Sequence, residues 1–211
     1  GIIKTADGQK IEGVTITFSN GGGPATTNSQ GYYSQKVSYG WSGTATPSKT
    51  GYIFSPQSQT YTNVTSDLIN QDYTATLVHT ISGSVKTSGG QGVGGVTITF
   101  SNEGGTATTN SQGYYSQMVK DGWSGTATPS STCYTFSPAS ISYTNVTSDK
   151  TNQDYTATIL TYVISGTVRL DSTSNPLSGV VMNGLPGNPV TNASGYYEAT
   201  VDCGWSGIVT P

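Results

Sequence analysis

Val96-Thr97-Ile98-Thr99-Phe100 is the stretch that decides the fold. Val96, Ile98 and Phe100 fall on one face and Thr97 and Thr99 on the other, the period of two expected of a half-buried strand. Working outward, Thr87 to Gly95 and Asn102 to Gly105 are rich in turn residues, so this strand is short. Thr106 to Thr109 reads as another short strand. Asn110-Ser111-Gln112-Gly113 reads as a tight turn, with Gly for a positive φ and Asn for local side-chain hydrogen bonds. Tyr114 to Val119, Trp123 to Thr128, Cys133 to Phe136, Ile141 to Val146 and Asn152 to Ile159 follow, and Ile81 to Lys86 precedes. Seven or eight short strands with closely spaced turns, and no helical periodicity, predict an all-β Greek-key sandwich. The predicted core is Val96, Ile98, Phe100, Tyr115, Val119, Trp123, Ala127, Phe136 and Tyr155. Placing Tyr115 inward in phase with Val119 also turns Gln117 inward.

The same unit recurs at a spacing of 82 residues. Trp41, Trp123 and Trp205 each stand in Gly-Trp-Ser-Gly, and Tyr32-Tyr33, Tyr114-Tyr115 and Tyr196-Tyr197 each follow a glycine. A unit of this length can bury a core of its own, unlike the shorter repeats of solenoids. The expected domains are residues 1–78, with an incomplete N-terminal strand, 79–161, and 162–211, truncated C-terminally. Gly1 aligns with Gly83 and Pro211 with Pro129, so the ends are out of phase with the units. Such ends fit a window on a longer array, or copies that complete one another by strand addition. The first is simpler, because copy one already carries its own Val14–Phe18 and Trp41–Thr46 strands.

Charged residues are 9% of the 211, against roughly 25% in ordinary globular proteins. Thr, Ser, Asn and Gln take the outward positions instead, a composition expected of an extracellular or cell-surface β-protein. A net charge of −3 with no basic patch argues against a nucleic-acid partner. No apolar run reaches the length of a membrane helix.

The joins constrain the architecture. Tyr73 to Ser82 runs from one unit's last strand into the next unit's first with no Gly/Ser-rich or Pro-rich spacer, and Tyr155 to Ser165 reads alike. A flexible tether needs such a spacer. The expected form is therefore a stiff, extended rod.

The run Ile81-Ser82-Gly83, Gly92-Val93-Gly94-Gly95 leading into Val96–Phe100, Gly113-Tyr114-Tyr115, Gly122 to Pro129 and Tyr134 to Pro138 resembles the carboxypeptidase regulatory-like domains of the transthyretin-like and Cna-B-like group. The resemblance covers almost the whole chain. It implies tandem Ig-like, prealbumin-like sandwiches of about seven strands each, used as non-catalytic modules of bacterial surface proteins. It also raises an isopeptide crosslink, for which Lys4 or Lys86 and Asn70 or Asn152 are the residues available. The third copy has Arg169 at that lysine position, which counts against it.

Candidate sites are few. Asp67, Asn70 and Asp72, and again Asp149, Asn152 and Asp154, put oxygen donors in a turn near each unit's end, a set suited to calcium. The same residues are ordinary turn formers. Cys133 and Cys203 are not repeat-equivalent, since Cys133 aligns with Gly51 and Cys203 with Asp121. They are idle thiols, or one bridge between units two and three or between neighbouring chains. Asn63, Asn145 and Asn192 stand in N-glycosylation sequons. The single histidine, His79, reads as a solvent-facing residue of the first join with no acidic partner. With one histidine and no nucleophile elbow, no catalytic residue is assigned and no enzyme is expected. Outward Tyr32 and Tyr114 would form a row suited to sugars; packing on strand neighbours is the plainer reading. The function expected from the sequence is a structural extracellular filament or stalk supporting adhesion or a biofilm matrix. Its partners would be copies of itself or further repeats of the same chain. The alternative is a glycan- or surface-binding adhesin module.

Overall fold

The computed structural model describes residues 1–211 and contains strands and turns but no helix. Unit 1 comprises β1 (Ile3–Thr5), β2 (Thr15–Phe18), β3 (Gly23–Thr26), β4 (Trp41–Ser48), β5 (Tyr52–Ser55), β6 (Gln59–Val64) and the first half of β7 (Tyr73–Thr87). Unit 2 takes the second half of β7 and then β8 (Thr97–Phe100), β9 (Gly105–Thr108), β10 (Tyr114–Lys120), β11 (Trp123–Ser130), β12 (Tyr134–Ser137), β13 (Ile141–Val146) and β14 (Tyr155–Ile159). Unit 3 holds β15 (Thr161–Thr167) and β16 (Tyr196–Asp202), with isolated bridges such as Val181 to Val190.

Unit 2 is an eight-stranded sandwich. One sheet runs β13-β11-β8-β9; in the other, β7 lies between β10, antiparallel to it, and β14, parallel to it, and β12 pairs with β14. Unit 1 repeats this, with β6-β4-β2-β3 facing a sheet in which β7 pairs parallel with β1 and antiparallel with β5. The all-β sandwich expected from the alternation is the observed fold.

Packing follows the sequence phase. Val96, Ile98, Phe100, Tyr115, Val119, Trp123, Ala127 and Tyr155 are buried together, and Phe136 packs at the edge of that cluster. Gln117 turns inward with Tyr115 and Val119, and its Nε2 donates to Gly104 O at 2.7 Å, so the amide is satisfied. The Trp123 ring lies 6.0 Å from Phe100 and 5.8 Å from Tyr143, tilted against both. Its Nε1 donates to Ser101 O at 3.1 Å. Trp41 repeats this with Phe18, Tyr61 and Ser19 O. The Asn110 turn forms as its residues dictate: Asn110 Oδ1 accepts from Gln112 N and Tyr114 N, and Gly113 has φ +76°. A Cβ on Gly113 would stand 2.2 Å from Val85 O, so the turn tolerates no side chain there.

The first join is one uninterrupted strand. Tyr73–Ala75 of β7 pair with β1, Thr74–Leu77 with β5, Val78–Ser84 with β10 and Val85–Thr87 with β14. Two sandwiches thus share one hydrogen-bonded sheet. The boundary expected between residues 78 and 79 falls inside this strand, where no single residue ends one unit and begins the next.

The second join differs from the first, contrary to the sequence expectation that they are alike. β14 ends at Ile159, Leu160 lies outside any strand, and β15 begins at Thr161. The reason is one extra residue: Ile81-Ser82-Gly83 recurs as Ile164-Ser165-Gly166, displaced by 83 rather than 82. The register moves with it, so His79 faces Val119 whereas its counterpart Thr161 faces Asp202. The expected boundary at 161/162 lies at the start of β15.

Candidate functional site

The two joins are built on the same corner. At the first, Val78 N donates to Gly51 O (2.8 Å) from the β4–β5 turn, and Asp121 N from the β10–β11 turn donates to Leu77 O (3.0 Å). At the second, Leu160 N donates to Cys133 O (2.8 Å) and Cys203 N to Leu160 O (2.8 Å). The connecting chain is therefore held between a turn of the unit before it and a turn of the unit after it.

Side chains add a second tie at each corner. Cys133 and Cys203 are joined in a disulfide with Cα atoms 5.3 Å apart. They occupy the places that Gly51 and Asp121 take one unit earlier. At that earlier corner His79 Nε2 lies 2.7 Å from Asp121 Oδ1, and the histidine side chain is only 14% exposed. The reading of His79 as a solvent-facing residue without an acidic partner is thus corrected. The β10–β11 turn folds back over the join and brings in an aspartate 42 positions away, a contact that local sequence does not reveal.

Three of the four turn carboxylates are engaged with backbone. Asp154 Oδ1 accepts from Ser84 N (2.7 Å) and Ser84 Oγ (3.0 Å), Asp149 Oδ1 from Thr80 N (2.8 Å), and Asp72 Oδ1 from Ile2 N (2.7 Å). Asn70 and Asn152 adopt φ of 58° and 55°, as turn residues. No group of three or more His, Cys, Asp or Glu side chains is gathered in position to hold a metal ion. These acids close the gap between a unit's last turn and its first strand. Lys4 and Lys86 are exposed and face Thr74 and Thr156, beyond Asn70 and Asn152 on the paired strand, so the residues of an isopeptide bond are not opposed.

Asn63 and Asn145 are exposed residues inside β6 and β13, at the irregularity opposite Trp41–Gly43 and Trp123–Gly125, with φ of 49°, and their backbone N–H groups donate to Ser42 Oγ and Ser124 Oγ. Asn192 is also exposed, and its Oδ1 accepts from Ser194 N and Tyr196 N, the turn role of Asn28 and Asn110.

The tyrosine pairs divide. Tyr33 and Tyr115 are buried and donate to Gln71 O (2.6 Å) and Gln153 O (2.5 Å); burial pushes both hydroxyls well above the usual range. Their neighbours Tyr32, Tyr114 and Tyr196 are 49%, 50% and 37% exposed at matching positions of the three units.

Three threonines were not singled out by sequence reasoning. Thr27, Thr109 and Thr191 are buried; Thr109 Oγ1 accepts from Val96 N (2.9 Å) and donates to Val93 O (2.7 Å). Thr27 does the same for Val14 N and Ile11 O, and Thr191 for Val180 N and Leu177 O. Their recurrence at the repeat spacing was the available signal.

One concavity stands apart. A groove of about 930 Å³ in unit 1 runs between the Tyr32–Tyr39 segment and the Val64–Asp72 segment, floored by Phe18, Trp41 and Tyr61.

Comparison with known proteins adds little. No family model matches the sequence, and no curated protein matches it. Among solved structures, the chain is similar to the Bacillus anthracis TIE protein, with a TM-score of 0.48 and 11% identity over 95% of this chain. The chain spans 42% of that protein's length. It is also similar to GBS52, the minor pilin of Streptococcus agalactiae, with a TM-score of 0.32 and 11% identity over 72% of this chain and 86% of that one.

Proposed function

We propose that the chain is a structural segment of an extracellular, cell-surface protein: a filament or stalk of stiff tandem β-sandwiches that supports adhesion or a biofilm matrix. The observation that carries this reading is β7, one strand whose two halves belong to two sandwiches. A strand paired on both sides at the point of passage has no free backbone dihedrals to act as a hinge. The second join replaces strand continuity with a covalent tie between turns. Buried tyrosines, tryptophans and threonines hold the frame, and the carboxylates near each unit's end serve the backbone. Electron microscopy of the protein expressed on its native surface tests the reading. Thin, straight fibres or stalks are expected; globular particles without extension would overturn it.

The second reading, a glycan- or surface-binding adhesin module, draws on Tyr32, Tyr114 and Tyr196, exposed at the same place in each unit. Exposed aromatic faces set at intervals suit stacking on sugar rings. A glycan array separates the two: specific binding that is lost in Tyr114→Ala favours the adhesin.

A further inference from the structure

The sequons Asn63-Val64-Thr65, Asn145-Val146-Thr147 and Asn192-Ala193-Ser194 are of two structural kinds. Asn192 is a turn former. Its Oδ1 accepts from Ser194 N (3.0 Å), Ser194 Oγ (2.7 Å) and Tyr196 N (3.1 Å), so the hydroxyl of the sequon is engaged inside the turn. Asn28 and Asn110 make the same turn in units 1 and 2, each with Gln two positions on, so neither heads a sequon. The pattern at Asn192 thus arises from a Ser in place of that Gln, at a turn that uses asparagine in every unit.

Asn63 and Asn145 stand elsewhere. Thr62 and Asn63 oppose the single Ser42, and Thr144 and Asn145 oppose Ser124, so each asparagine sits in a β-bulge. The serine Oγ takes the backbone N–H (2.8 Å in both units), and the side-chain amide is exposed and unbonded. Asn20 and Asn102, also at positive φ beside the same serines, instead donate their amides to Ser42 O and Ser124 O. Thr65 and Thr147 are exposed just past the strand's end. Val146 between Asn145 and Thr147 is 1% exposed, which turns its two neighbours outward together.

Both bulges lie on an outer strand. β6 and β13 each end their sheet, and each is six residues long with no charged residue and no proline. Open edges of this kind template pairing with other chains unless charge, proline, a bulge or a cover blunts them. Here the bulge alone interrupts the edge, at the residue that heads the sequon.

We propose that Asn63 and Asn145 are N-glycan attachment sites, that Asn192 stays bare, and that the glycans cover the outer edges of β6 and β13. The co-reactant is an oligosaccharide carried on a lipid diphosphate. The side-chain amide nitrogen bonds to the anomeric carbon, and the bond from that carbon to the phosphate oxygen breaks. The lipid diphosphate leaves with the electron pair, and one amide proton passes to a base of the transferring enzyme. A bulky, hydrophilic group at the bulge then keeps a second chain from the edge. The inference rests on the cell-surface reading above, since this modification marks secreted chains.

Tandem mass spectrometry of proteolytic peptides from the native protein reads each sequon separately. Added sugar mass is expected on the Asn63 and Asn145 peptides and none on the Asn192 peptide. Thr65→Ala combined with Thr147→Ala, expressed in the native organism, should lose all of that mass. In a host without the transferring enzyme, variant and parent should melt within about 2 °C of each other, which separates loss of sugar from loss of fold. The bare variant from the native organism should associate side by side, its light-scattering mass rising with concentration while that of the glycosylated parent stays constant. Unmodified Asn63 and Asn145 in native material, or sugar on Asn192 alone, would overturn the proposal. Sugar that survives both threonine substitutions would overturn it too, because it would not depend on the sequon. A glycosylated parent that associates as readily as the variant would overturn the edge cover. A bare chain at the cell surface would remove the glycans and leave the surface reading standing; a glycosylated chain that forms no extended stalk would do the reverse.

Discussion

Cys133 and Cys203 are bonded to each other across the second join, 70 positions apart in the chain and on either side of Leu160, whose N–H and C=O are taken by their backbones. A pull along the chain therefore passes from Cys133 to Cys203 through the bond and leaves β12, β13, β14, β15 and β16 without load. Single-molecule stretching of the whole chain should give a fully extended length shorter by the 70-position span between the cysteines, roughly 230–250 Å, than the same chain with reductant. Equal lengths in both conditions would contradict this path of force. Replacing both cysteines by serine should cost about 2–4 kcal/mol of stability, through the freedom regained by the unfolded chain.

At the first join the corresponding side-chain tie is the His79–Asp121 pair, half open to solvent on the aspartate side. Such a pair is worth less than about 1 kcal/mol. His79→Thr, which installs the residue found at position 161, should shift the denaturation midpoint only slightly. It should also leave the amide exchange of Val78–Ser84 protected, because the backbone pairing of β7 is what holds that join. Loss of protection across Val78–Ser84 would mean the side chains hold it instead.

Thr109 is a stronger test of the core. Thr109→Val keeps the shape but leaves Val96 N and Val93 O without their partner. Each buried group so abandoned costs about 1–3 kcal/mol. Thr109→Ser retains the hydroxyl and should cost less. Chemical denaturation of the two variants should rank them in that order; equal losses would show that the methyl group, not the hydrogen bonds, matters there.

Alkaline pH should unfold the units. Burial pushes the Tyr143 hydroxyl up to about 12, and those of Tyr33, Tyr73, Tyr115 and Tyr155 upward as well. In the unfolded chain a tyrosine titrates near 10. Between the two values the unfolded state has given up protons that the native state keeps, so stability falls as pH rises. The contribution is complete below about pH 10 and is lost above it. Denaturant midpoints should hold steady up to that point and then decline, less steeply in Tyr143→Phe. A midpoint unchanged through pH 11.5 would contradict the burial of these hydroxyls.

The sandwich was legible because its signals are local. Val96–Phe100 alternates, the Asn110–Gly113 turn carries its own chemistry, and the inward phase of Tyr115 and Val119 holds even through Gln117. The passage of Tyr73–Ser82 without a spacer was also legible, and β7 is its consequence. What escaped the sequence depends on distant partners. His79 meets Asp121 only because the β10–β11 turn folds back, and Asp149 and Asp154 serve strand β7 from about 70 residues away. The same spacing of Asp and Asn suited a cation or a turn equally well. The extra residue in the second join is visible in the sequence, but its effect, a strand broken at Leu160, appears only once the register with β16 is known. The pairing of the cysteines stayed open for the same reason: repeat alignment puts them at different positions of the unit, and only the stacking of units 2 and 3 brings those positions to one corner.

Small-angle scattering of the oxidised chain in dilute solution tests the central claim, that tandem sandwiches are joined without hinges. Three units advancing roughly 35–40 Å each predict a maximum dimension of about 110 Å and a radius of gyration of about 30 Å. A value near 17 Å, as for a compact particle of 211 residues, would contradict it, as would a distance distribution broadened by bending at residues 76–82.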